Sequence, residues 1–218
     1  MVVDTETKAL RDGAVSLVAF ASSDKTLPML TCLHMRAGEG EIILTATDRY
    51  VLGCYRVEFD TERVDLPEGG ANVNARELAT FLKSCDKSTP LSLKVEGEYL
   101  TVTSGWGSDV DKIQRFYLYP GDFPAIERLL RSPEALPDAA RCTTYSAKNL
   151  AKFSTVITGE KSPSMRTVNR GDSKPTLVLI GDVFAGLIVP ILFRADGRDS
   201  ETGDNVPSWV DTSTRVSV

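Results

Sequence analysis

Between Leu44 and Gly53 the sequence reads LTATDRYVLG, with Asp48 and Arg49 set between two strand-like apolar runs. A carboxylate beside a guanidinium at such a place suits three roles: catalysis at a strand end, a tight turn, or the edge of a binding pocket. Little else in the chain would complete an enzyme. His34 is the one histidine, and no serine or cysteine nucleophile stands in a recognisable setting for it. Cys32, Cys54, Cys85 and Cys142 are scattered without a CxxC pair. They predict buried, reduced thiols rather than a zinc set or a disulfide framework. The GEGE run at 38–41 lacks the Lys-Ser/Thr and the helix of a phosphate loop. A chain without catalytic residues, metal or cofactor is expected.

Basic residues form the second pattern. The formal charge of −5 argues against coating of nucleic acid by net charge, but it permits a local basic stripe. Arg76, Thr80, Lys83 and Lys87 fall at i, i+4, i+7 and i+11, which aligns three cations on one helix face opposite Leu78, Leu82 and Cys85. Lys148 and Lys152 repeat the first two positions on a later helix, and Lys8 with Arg11 begins a stripe on an earlier one. The spacing suits an ordinary solvated face. It also suits helices that meet the phosphates of duplex DNA without reading its sequence.

The elements that must carry these residues follow from periodicity. Thr5–Ser22 has apolar residues at helical spacing. Two alternating runs around Gly38–Gly40 predict a hairpin, and Val51–Phe59 a third strand. Ala71–Val73 is a short strand leading to an Asn74 N-cap with Glu77 three residues on, then a helix burying Leu78, Phe81, Leu82 and Cys85. A hairpin turning near Gly97 and a strand at KIQRFYLYP come next. After a proline-rich connector the sequence predicts a strand at RCTTY, a helix over Ser146–Ile157, and strands near Ser164–Val168, Thr176–Ile180 and Gly186–Phe193. The polar stretch after Ala195 reads as a mobile tail. The charged first twenty residues do not make a secretory leader, and no apolar run approaches membrane-spanning length. A soluble, cytoplasmic protein is expected, with no membrane partner.

An internal repeat organises these elements. Asn74-Ala75-Arg76-Glu77-Leu78-Ala79-Thr80-Phe81 aligns with Ser146-Ala147-Lys148-Asn149-Leu150-Ala151-Lys152-Phe153, and the first segment follows the same helix-then-three-strands plan. The chain thus reads as three β-α-β-β-β modules.

With these motifs in view, the sequence resembles the sliding-clamp family, the β subunit of bacterial DNA polymerase III, as a shortened actinobacterial or phage-like member. The residues that carry the resemblance are DKTLPMLTCLHM (Asp24–Met35), LTATDRYVLGCYRVEF (Leu44–Phe59), LYPGDFPAIERLL (Leu118–Leu130) and KPTLVLIGDVFAGLIVPILF (Lys174–Phe193). The resemblance implies an α+β DNA clamp fold of repeated β-α-β-β-β modules, with helices on one face and antiparallel sheets on the other. It implies residues 1–119 as a clamp domain of two modules, 120–139 as a connector, 140–195 as a half domain and 196–218 as the tail.

The function implied is that of a processivity factor without chemistry of its own. Such a factor encircles duplex DNA, is placed there by a clamp loader, and tethers DNA polymerase and other proteins that carry clamp-binding peptides. The DNA-facing positions would be Lys8, Arg11, Arg76, Lys83, Lys87, Lys148 and Lys152. The peptide pocket would draw on Leu30, Thr47, Arg49 and Leu52 on one side and Leu187, Val189, Pro190 and Ile191 on the other, with Leu129 and Leu130 from the connector. A full clamp chain has six modules and this one has three, which implies a homo-oligomer, with third modules pairing across a two-fold axis. Val51 and Leu192 stand where the family commonly has arginine. A clamp-derived peptide-binding module that does not encircle DNA is the alternative.

Overall fold

The structure is a computed structural model that describes residues 3–105, 109–124, 143–161, 163–169 and 174–191. Helix α1 spans Val3–Leu17 and is followed by strands β1 (Cys32–Gly38), β2 (Glu41–Thr47) and β3 (Val51–Glu58). The two-residue strand β4 (Val64–Asp65) precedes β5 (Ala71–Asn74), helix α2 (Ala75–Ser84), and strands β6 (Leu91–Glu96), β7 (Tyr99–Ser104) and β8 (Lys112–Tyr117). The last group is a short helix α3 (Ala147–Ala151) with β9 (Met165–Val168), β10 (Thr176–Ile180) and β11 (Phe184–Ile188). Each helix is thus followed by three strands that pair in consecutive, antiparallel order, as the repeat predicts.

Local chemistry starts the helices where the sequence places them. The Asn74 side chain accepts the amides of Arg76 and Glu77 at 3.1 and 3.2 Å. Ser146 caps α3 by accepting the amide of Asn149 at 3.4 Å. Two expectations need correction. The helix expected over Ser146–Ile157 is α-helical only through Ala151 and tightens to a 3-10 turn over Lys152–Thr155. There the hydroxyls of Ser154 and Thr155 donate to the carbonyls of Ala151 and Lys152, offering the backbone a competing set of bonds. The part of RCTTY that is described, residues 143–145, is not a strand: the Thr144 carbonyl accepts the Ile191 amide just beyond β11. The connector beyond Pro124 and the tail, with Leu129, Leu130 and Cys142, lie outside the described residues.

The strands form two sheets, β5-β1-β2-β3-β11-β10-β9 and β4-β6-β7-β8. The seven-stranded sheet is continuous because β11, some 130 residues downstream, pairs antiparallel with β3. At that seam Gly53 stands opposite Gly186. A Cβ on Gly53 would lie 2.7 Å from the Leu17 side chain, and one on Gly186 would lie 2.6 Å from the Leu52 carbonyl and within 3 Å of both Phe184 and Phe153. The space that a pair of side chains would need is taken by three rings, Phe20, Phe153 and Phe184, whose centroids lie 5.2 to 6.0 Å apart. They join the turn after α1, the turn after α3, and β11. Hydrogen bonds reinforce the same junction. The Tyr55 hydroxyl donates to the Ile157 carbonyl at 2.8 Å, and the Ser16 hydroxyl accepts the Ile157 amide at 2.9 Å.

Two outcomes follow from this packing. Gly186→Ala forces a methyl group against a backbone carbonyl and two rings, and should destabilise the fold by roughly 2 kcal/mol in denaturant unfolding. Burial, followed by the nearby Asp12 charge, pushes the Tyr55 phenol up to about 12 from an ordinary 10.0. The unfolded chain gives up this proton near pH 10 while the folded one keeps it, so stability is lost as pH rises from 10 toward 12. Tyr55→Phe should remove roughly 2 kcal/mol of that alkaline loss, read from unfolding curves at pH 9 and pH 12.

Candidate functional site

Asp48 and Arg49 occupy the hairpin turn between β2 and β3. The Asp48 amide donates to the Val51 carbonyl at 3.3 Å, and the Asp48 carboxylate accepts the amides of Tyr50 and Val51, both at 3.0 Å. The Thr47 hydroxyl donates to the Val51 carbonyl at 2.8 Å and accepts the Arg49 amide at 3.2 Å. Arg49 has φ +82°, alone among the described non-glycine residues in being positive. A positive φ at the first of two loop residues is the type II′ pattern, where glycine is the usual occupant. Of the three roles open to the pair, the turn is the one built here, and it forms one wall of a pocket.

That pocket is a cavity of about 290 Å³. It gathers Leu30, Thr47, Arg49 and Leu52 from the first module and Leu187 and Val189 from the third. Six of the ten residues expected there therefore meet. Pro190 is buried and Ile191 exposed, and neither lines the cavity. Val51, singled out for standing where the family commonly has arginine, completes the wall with Tyr50, Pro124 and Pro175, which were not foreseen. Tyr50 carries a visible signal, an aromatic ring in a two-residue loop. The two prolines lie within stretches that carry the resemblance, Leu118–Leu130 and Lys174–Phe193, but nothing in their local pattern marks them as pocket residues.

The pocket sits on the sheet face turned away from the helices. Gly53 faces Leu17 and Phe20 of the helical layer, so alternation turns Leu52 to the opposite face. The Val189 amide donates to the Tyr50 carbonyl at 3.0 Å, which prolongs the β3–β11 ladder to the pocket mouth. At that mouth Tyr50 is 57% and Val189 40% exposed, whereas Leu52 and Leu187 below are buried. An apolar floor, a partly exposed apolar rim and one guanidinium suit a short peptide with aliphatic or aromatic anchors.

The basic helix positions divide. Arg76, Lys83 and Lys87 are exposed on and just beyond α2, and Lys148 is exposed on α3. Lys8 pairs with Asp12 one turn along α1 at 3.7 Å, and Arg11 is half-buried. Lys152 corrects its expectation as a solvent-facing cation: its ammonium donates to the Asp48 carboxylate, with both side chains mostly buried. It ties the third module to the turn that walls the pocket. The sequence spacing could not show this, because Asp48 lies 104 residues away.

The remaining chemistry-bearing residues have structural partners. His34 meets the Asn72 side chain through Nδ1 at 2.8 Å and stacks on Phe123 at 4.9 Å. Asn72 in turn donates to the carbonyl of Gly121 at 3.0 Å, so this pair fastens the start of the connector to β1 and β5. Burial raises the Cys32 thiol to about 11 and raises that of Cys85, which disfavours the reactive thiolate. A broader depression of about 1570 Å³ crosses the outer face of the seven-stranded sheet, lined by charges of both signs such as Arg36, Arg56, Glu41 and Asp182.

The strained turn makes a direct prediction. Arg49→Gly relieves the backbone and Arg49→Ala does not, so the glycine variant should be more stable than the alanine variant by about 1 kcal/mol. Thermal unfolding of the two variants checks this.

Comparison with known proteins gives the fold. No protein-family model matches the sequence, and no curated protein matches it. Solved structures do. The DNA polymerase sliding clamp from Bacillus subtilis superposes with a TM-score of 0.64 at 14% identity, over 87% of this chain and 64% of that one. The Pseudomonas aeruginosa sliding clamp bound to griselimycin gives 0.66 at 17% identity, over 92% and 66%. The DNA polymerase III β subunit of Thermotoga maritima gives 0.61 at 15%, over 87% and 64%. This chain therefore spans about two thirds of the length of those clamps, and its fold is the α+β clamp fold, with helices on one face and antiparallel sheets on the other.

Proposed function

We propose that this chain is a sliding-clamp-like processivity factor that encircles duplex DNA as a homo-oligomeric ring and tethers partner proteins by a peptide seated between β3 and β11. The observation that carries the reading is the cavity itself. Residues from two distant parts of the chain, singled out by resemblance to clamps, meet around one apolar pocket in a molecule with the clamp fold. Exposed Arg76, Lys83, Lys87 and Lys148 supply the phosphate-facing cations, while the pocket opens on the other side, so DNA and a tethered partner would not compete. DNA polymerase and a clamp loader are the partners this reading names, and the role requires no catalytic residue.

A second reading has a specific observation in its favour. Lys152 and Lys8 are engaged by Asp48 and Asp12, which thins the basic stripes on a chain of net charge −5. That suits a clamp-derived module that binds peptides or regulates a partner without encircling DNA.

One measurement separates these readings, and a second tests the pocket that both share. On circular duplex DNA a ring is lost slowly, and linearisation should speed its loss at least about tenfold, because only the topological link is removed. Arg76→Glu with Lys83→Glu and Lys148→Glu should abolish retention. Equal loss from circular and linear DNA would favour the second reading. Binding of a labelled peptide bearing leucine and phenylalanine anchors should weaken by roughly thirtyfold or more in Leu52→Glu, and unchanged binding would remove the pocket from both readings.

A further inference from the structure

The three modules each end on a third strand: β3, β8 and β11. Two of these, β3 and β11, pair antiparallel with each other over five residues. The chain therefore shows how such an edge is closed, by third strand against third strand. Among the described residues β8 pairs only with β7, and its other edge is open.

We propose that β8 is a docking edge for β8 of a second copy of this chain, paired antiparallel across a two-fold axis. The occupant follows from the count of edges. Once β3 and β11 have satisfied each other, the third strand left with an open edge among the described residues of a neighbouring copy is its own β8. Antiparallel pairing of identical strands is self-complementary, as a two-fold contact requires.

The chemistry of β8 fits this role. The Leu118 amide donates to the Glu98 carbonyl at 2.8 Å, in register with the β7–β8 ladder. Alternation then points the backbone groups of Gln114 and Phe116 toward β7, and those of Ile113, Arg115 and Tyr117 toward the open edge. Edges left to solvent are normally blunted by proline, bulges, very short strands or charged side chains. This one is six residues long without proline, and its two cations are engaged within the chain, Lys112 by the Ser84 carbonyl and Arg115 by the Tyr99 ring. It also exposes apolar side chains: Ile113 is 61% and Tyr117 44% exposed, beside Tyr99 at 38% on β7. Tyr99, Tyr117 and Tyr119 form an edge-to-face row with centroids 5.7 to 5.9 Å apart, and the Arg115 guanidinium lies over the Tyr99 ring at 4.3 Å. A preordered aromatic row beside an open ladder loses little freedom when a partner covers it.

The test is the solution mass of the full chain by light scattering and sedimentation, at tens of micromolar. The expected result is an even multiple of the chain mass: two chains where β8 pairing is the only contact, four where the β8-paired dimers also join end to end into the proposed ring. Arg115→Pro blocks the open edge without removing a bond to β7, and should raise the dimer Kd by roughly thirtyfold or more, the size of a hot-spot loss. Ile113→Lys with Tyr117→Lys should do the same, and this pair decides the matter if the proline variant fails to fold. Met165→Lys, on the outermost strand β9 of the seven-stranded sheet, should leave the dimer intact. Hydrogen exchange supplies an independent readout: the amides of Ile113, Arg115 and Tyr117 should gain protection with rising protein concentration. A monomeric wild type, a dimer that survives both β8 variants, a dimer lost in Met165→Lys, or β8 protection independent of concentration would each overturn the proposal. A monomeric wild type would also remove the homo-oligomeric ring, whereas an oligomer that survives both β8 variants overturns this proposal and leaves the ring reading standing, so the two failures are distinguishable.

Discussion

The architecture depends on how closely β3 and β11 can approach beneath the helical layer. Opposite residues in a non-hydrogen-bonded antiparallel pair bring their side chains nearest, and here both are glycine. The room is filled instead by Phe20, Phe153 and Phe184, one ring from each of three chain segments. This packing is what turns separate hairpins into one seven-stranded sheet. Everything at the pocket follows from it, because Leu52 and Leu187 are the next pair along the same ladder.

The pocket is accordingly a property of the seam and not of either module. Thr47, Arg49 and Leu52 reach it from one hairpin, Leu187 and Val189 from another, and the prolines at 124 and 175 close it from the flanks. Two contacts hold the turn at its mouth. Asp48 uses one carboxylate oxygen to accept the turn's own amides and the other to accept the Lys152 ammonium from the third module. The strain at Arg49 persists in that over-determined setting, and strained backbone concentrates at ligand clamps and active sites. Lys152 thus serves the pocket side of the molecule, although its spacing along the helix suggested the DNA side.

The repeat is faithful in plan and unequal in detail. Asn74 and Ser146 both cap helices, and Phe81 and Phe153 are both buried, yet Leu78 is fully buried while its counterpart Leu150 is 40% exposed. The difference has a physical cause. Helix α2 packs beside α1, whereas α3 is a single turn and a half with no helix alongside it among the described residues. Capping is a local interaction and survives in both copies; burial of the leucine needs a neighbour and survives in one.

Much of the fold was legible in the residues themselves, and the six pocket positions that meet were supplied by the resemblance to clamps. Period-2 alternation placed the hairpins, and the Asn74 and Ser146 caps placed α2 and α3. The turn at Asp48–Arg49 was readable because an aspartate accepting its neighbours' amides is a local event. The sequence alone also determined that Leu52 and Leu187 lie on strands, but not that they face each other. Only the tertiary structure decided the β3–β11 pairing, the capture of Lys152 by Asp48, the fastening of the connector by His34 and Asn72, and the edge of β8 that stays open among the described residues. Each of these joins residues far apart in the chain, and pairing across such distances is set by which surfaces fit once the chain is compact. Periodicity within a segment carries no record of that choice.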